Sequence, residues 1–63
     1  MRTFEIRNVV LSYLSDAQEM VNFNKEESNK YINFAKYLIM TYDDLSVRVT
    51  EDELTETWNK LFN

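Results

Sequence analysis

Side chains that could do chemistry are few in this chain, and each lacks a partner. Ser12, Ser15, Ser28 and Ser46 could supply a hydroxyl nucleophile. There is no His to activate one and no Gly to build the sharp turn that presents a nucleophilic serine. Lys25, Lys30 and Lys36 could serve as bases only if burial depressed their pKa values, and all three fall on the polar face of one helical segment. A phosphate-cradling loop is excluded, because such loops are built on glycine and the chain has none. The residues therefore point away from an enzyme, and no cofactor is implied.

Metal chemistry has one candidate. Asp43, Asp44, Glu51, Asp52, Glu53 and Glu56 form an acidic patch that invites a calcium reading. A calcium loop started at Asp43 would place Leu45 and Val47 at positions that need oxygen ligands, and its turn glycine is missing. Those carboxylates are better read as the end of one helix and the start of the next, so no metal is expected. The patch nevertheless carries the whole formal charge. Through Lys36 five basic residues match five acidic ones; beyond it two basic residues face six acidic ones, which gives the net −4. Such a surface can attract a basic protein and disfavours nucleic acid, whose phosphates require Lys and Arg.

A nucleic-acid reading has one possible surface. Asn29, Lys30, Asn33 and Lys36 share the outer face of the second helical segment, and Asn and Lys can meet base edges and phosphates. Glu26 shares that face, and the net charge is of the wrong sign. A second set of residues is apolar and left over from the expected core. Phe4 and Leu11 lie on a shoulder of the first helix, and Tyr37 and Met40 on the outer face of the second. Together these four form the expected protein interface.

The elements that must position these groups are helical. With no Gly and no Pro the chain is poorly equipped for hairpin turns, and its nine aromatics oppose disorder. Periodicity gives three helices at about 4–23, 25–42 and 51–62, within one domain spanning residues 1–63. Thr3 is the expected cap of the first helix, whose apolar arc holds Ile6, Val9, Val10, Tyr13, Leu14, Ala17, Met20 and Val21. The second opens at Asn24 with Glu27 three residues on, close to a capping box. Its apolar arc, Tyr31, Ile32, Phe34, Ala35, Leu38, Ile39 and Tyr42, spans roughly 160°, more than the ~100° stripe of a typical surface helix. An arc that wide implies more than one neighbour.

Thr50-Glu51-Asp52-Glu53 is a capping box, and Leu54, Trp58, Leu61 and Phe62 follow at helical spacing. Leu45, Val47 and Val49 alternate in the connector 43–49 as in a half-buried strand, with no second strand evident to pair with. The connector is expected either to tuck under the helices or to pair with a strand of another chain. The fold class expected is all-α: an antiparallel hairpin of two long helices, with a short third helix laid across one end by Leu54, Trp58 and Leu61.

A core this small supplies about 3 to 5 kcal/mol, and without Cys or His neither disulfides nor His-based metal ligation can add to it. Self-association as a homodimer is the remaining staple. No apolar run is long enough to span a bilayer, and charges at Arg2, Glu5 and Arg7 interrupt any signal-peptide core, so a cytoplasmic location is expected. The function expected is that of a small regulatory or adaptor protein acting through protein–protein contacts, with itself and another protein as partners. Its size, seven Asn residues and many Lys, Ile and Tyr fit a phage- or plasmid-encoded protein. The alternative is a small dimeric DNA- or RNA-binding protein using the outer face of the second helix.

Overall fold

A computed structural model describes residues 2–63. The elements run β1 (Thr3–Glu5), α1 (Ile6–Met20), α2 (Lys25–Thr41), β2 (Arg48–Thr50) and α3 (Glu51–Phe62). The domain is mostly helical, as the periodicity implies, but it is not all-α. β1 and β2 pair antiparallel in the register Thr3 with Thr50, Phe4 with Val49 and Glu5 with Arg48.

That pairing corrects two expectations. Thr3 does not cap the first helix and Phe4 is not part of it, because the chain is extended through Glu5. The reason lies in where Phe4 would point. On α1 it would fall nearly opposite Ile6 and Ala17, facing water. In β1 it stands beside Val49 and packs, half-buried, against the core. The connector neither merely tucks under the helices nor waits for another chain: Arg48–Thr50 pairs within its own molecule.

The connector also completes α1. Glu5 at the N-cap position makes no side-chain capping bond. Instead the N–H groups of Ile6 and Arg7 donate to the carbonyls of Val47 and Leu45, both at 2.9 Å. Two of the helix's orphan donors are thus satisfied from about 40 residues away in sequence. At its other end α1 stops at Met20 rather than at Phe23. The Met20 carbonyl accepts from the N–H groups of Phe23 and Asn24 as the chain turns back.

The starts of α2 and α3 are set locally. Asn24 Oδ1 accepts from the Glu27 N–H at 3.1 Å. Thr50 Oγ1 accepts from the Glu53 N–H at 3.2 Å, and Glu53 Oε1 accepts in return from the Thr50 N–H at 3.1 Å. Thr50→Ala removes one partner of this reciprocal pair and is expected to lower stability by about 1 kcal/mol. In a domain of this size that is a fall of about 4 to 8 °C in the thermal midpoint. An unchanged melting curve by circular dichroism would show that α3 does not depend on its cap.

The core lies where α1, α2 and β2 meet: Ile6, Val9, Val10, Phe34, Ala35, Leu38 and Val49 are buried. α1 and α2 run antiparallel and touch through small residues. Ser28 Oγ–H donates to the Ala17 carbonyl at 2.7 Å, and Ala17, Ser28 and Ala35 are all buried. Without side-chain bulk there, the two backbones come close together, and the serine hydroxyl is satisfied in place.

Candidate functional site: the open side of the helical hairpin

A two-helix hairpin has two long sides, and here the described residues cover only one. α3 lies on the first side through Leu54, Trp58 and Phe62. The Trp58 ring meets Phe34 at 5.2 Å, Tyr31 at 5.5 Å and Tyr13 at 6.0 Å between centroids. Phe62, not Leu61, is the second aromatic anchor, 4.5 Å from Trp58, while Leu61 stays exposed. Trp58 therefore seats α3 against the middle of the hairpin rather than only across its end. Burial raises the pKa of Tyr13 above its usual value, with Tyr31 and Asp16 adding to the effect, so its hydroxyl stays neutral in this cluster.

The second side has no element over it among the described residues. Leu14 of α1 and Val21, which follows its last residue with helical dihedrals, lie seven residues apart, as do Ile32 and Ile39 of α2; each pair therefore stacks on one face over about two turns. These four are 38–48% exposed, a large fraction for branched aliphatic side chains. They flank the Ala17–Ser28–Ala35 contact on the side away from Tyr13, Tyr31 and Phe34. Their outer banks are cationic. Arg7 lies beside Leu14 on α1, and Lys25 and Lys36 lie beside Ile32 on α2, all exposed. The helix carboxylates Asp16, Glu19, Glu26 and Glu27 project from other arcs. The acids of α3 belong to the covered side.

The expected interface residues are dispersed around this surface. Phe4 belongs to β1 and packs on the core; Tyr37 is half-buried on a different flank of α2. Leu11, 59% exposed, and Met40, 82% exposed, sit at the far edges of the two banks. Of the acidic patch, Asp43 and Asp44 lie in the connector, and Glu51, Asp52, Glu53 and Glu56 in α3. Ser46 donates its hydroxyl and its backbone N–H to Asp44 Oδ1, which holds that carboxyl below its usual pKa, helped by Arg7. Glu53 is taken up by its capping box. Among the described residues no three acidic side chains gather as a metal site would require. On the proposed nucleic-acid face Asn29, Asn33 and Lys36 are exposed, but half-buried Lys30 pairs with Glu27 at 3.5 Å.

One open groove, about 650 Å³, runs between β1, α1 and α3 on the covered side. Its two cations are engaged. Arg2 sits over the Phe4 ring at 5.1 Å, and Arg48 donates to the Thr3 hydroxyl and carbonyl. Glu5 and Glu51 line the same groove and balance their charge. Among the described residues no helix is long and apolar enough to cross a membrane.

Leu14, Val21, Ile32 and Ile39 are legible in sequence as members of apolar arcs, yet nothing in their spacing says that α3 will leave them uncovered. The width of the second arc is the one signal. No protein-family model matches this chain, and no curated protein or solved structure is significantly similar to it.

Proposed function

We propose that this chain is a small, non-enzymatic regulatory or adaptor protein that binds a protein partner through the open side of the α1–α2 hairpin. The observation that carries this reading is the seam of Leu14, Val21, Ile32 and Ile39 left in water beside a core of so few residues. Apolar surface gathered on one face marks an interaction site far more often than scattered exposed residues do. The small core also favours self-association, but a symmetric dimer through this side would set Arg7, Lys25 and Lys36 of one copy against those of the other. Like charges brought together across an interface oppose binding, so the seam fits a different partner better than a copy.

The test is affinity capture from a lysate of the source cells, with and without nuclease, using the wild-type chain and the double variant Leu14→Gln/Ile39→Gln. Both positions are already well exposed, so each change should cost about 1 kcal/mol or less, and circular dichroism should show the fold retained. The expected result is a discrete protein, insensitive to nuclease and lost with the double variant. Phe23→Gln, at a turn residue 89% exposed and outside the seam, should retain it. Recovery that vanishes with nuclease would move the assignment to the Asn29–Lys36 face of α2 and to nucleic acid.

A further inference from the structure

The covered side of the hairpin shows what such a slot accepts: an amphipathic helix with an apolar stripe inward and acids outward. α3 packs Leu54, Trp58 and Phe62 against the core and carries Glu51, Asp52, Glu53 and Glu56. The open side presents a second apolar face along the same two helices. We propose that it receives a single amphipathic helix of a partner protein, with aliphatic residues along its buried stripe and Asp or Glu along its flanks. This rests on the binding role assigned above to the open side.

Backbone chemistry selects a helix. The apolar face consists of Leu14, Val21, Ile32 and Ile39, and the α1 and α2 backbones beneath it are bonded within their own helices. An extended segment laid there would bury N–H and C=O groups against hydrocarbon with nothing to bond them, whereas a helix brings its own bonds. Length agrees. The 15 residues of α1 and 17 of α2 give banks of roughly 22–25 Å, room for a helix of about four turns.

Charge selects the flanks. Arg7 stands on one bank, Lys25 and Lys36 on the other, and neither helix places a carboxylate in that arc. Asp43 and Asp44 precede Leu45, whose carbonyl accepts from the Arg7 N–H, and so offset part of the charge at that end only. A chain of net charge −4 that collects three cations around this aliphatic seam is suited to an acidic partner there. A second copy brings the same cations, and its own acidic helix is already committed to its own hairpin. An anionic lipid surface shares the charge preference, but the net charge of the whole chain opposes approach to it.

Two synthetic helical peptides of about 18 residues, identical in their Leu stripe and flanked by Glu in one and by Lys in the other, test this with the full chain. Fluorescence anisotropy should give the Glu-flanked peptide an affinity at least about tenfold higher at low salt. That ratio should collapse as salt approaches about 0.5 M, where surface charges are screened. Amide shifts by nuclear magnetic resonance should cluster at Leu14, Val21, Ile32 and Ile39. Lys25→Glu/Lys36→Glu, both at exposed positions, should reverse the preference. Equal affinities, a preference for the Lys-flanked peptide, or shifts confined to α3 and the β1 groove would overturn the proposal. So would sedimentation of the chain with anionic phospholipid vesicles while both peptides are ignored, or a concentration-dependent dimer that masks the seam. If neither peptide binds while cellular capture still requires Leu14 and Ile39, the acidic-helix assignment fails and the adaptor reading stands.

Discussion

Phe34→Ala is expected to leave the chain largely unfolded at room temperature. Phe34 is fully buried and lies where all three helices converge, with its ring 4.8 Å from Tyr13 and 5.2 Å from Trp58. Truncating a buried Phe removes transfer free energy and leaves a cavity, a combined loss of about 3 to 5 kcal/mol. A domain of this length has about that much stability in total. Collapse cannot easily refill the space, because Ala17, Ser28 and Ala35 already bring the α1 and α2 backbones together beside it. The far-UV dichroism of the variant should therefore show a helix signal well below wild type, restored only by a stabilising osmolyte. Phe34→Leu should remain folded with a loss of about 1.5 kcal/mol. A Phe34→Ala melting curve within a few degrees of wild type would show that the core is not organised around this ring.

How much of the fold is legible in the sequence depends on the distance over which each feature is decided. The start of α3 is fully legible, because Thr50 and Glu53 bond one another across a single turn. Asn24 and Glu27 announce α2 for the same reason. The start of α1 is not legible. Its first two N–H groups are bonded by carbonyls of the connector, and the strand before it exists only because Arg48–Thr50 lies alongside. Local periodicity cannot register a pairing between residues so far apart in the chain. Phe4 still leaves a trace: as a helix residue it points away from the core, and a large apolar side chain on the wrong face marks a boundary drawn too early.

The open side is half legible. The seven-residue repeats Leu14/Val21 and Ile32/Ile39 are visible, and so is an arc on α2 too wide for one neighbour. Which shoulder α3 covers is a tertiary decision. It is settled by Trp58 fitting among Tyr13, Tyr31 and Phe34 rather than among branched aliphatics. The charge pattern depends on tertiary placement for a similar reason. Counted along the chain, residues up to Lys36 are neutral; sorted by helix face, Arg7, Lys25 and Lys36 separate from Asp16, Glu19, Glu26 and Glu27. Sidedness, not position in the chain, decides which charges share a surface.

Trp58→Ala is expected to release α3 from the hairpin before the rest of the fold gives way. No residue of α3 is fully buried, so its attachment is concentrated in half-buried side chains, and Trp58 is the one in contact with four other aromatic rings. Its loss should lower stability by about 2 to 3 kcal/mol, below the range for a fully buried Trp because part of the ring already meets water. The β1–β2 pairing and the capping box remain, so α3 stays tethered at Thr50 while its C-terminal turns come free. Native-state hydrogen exchange should then show amides of residues 55–62 exchanging well ahead of those of α1 and α2, whereas wild-type protection should be lost together. Trp58→Phe should keep the exchange pattern cooperative at a smaller loss, because a single ring still reaches Phe34. Should α3 in Trp58→Ala retain the same relative protection as the hairpin, then the strand pair and cap hold it, and the aromatic cluster only fills space. The choice by α3 of one side of the hairpin, which leaves the other uncovered among the described residues, would then have to come from the β1–β2 pairing and the Thr50 cap instead of from Trp58.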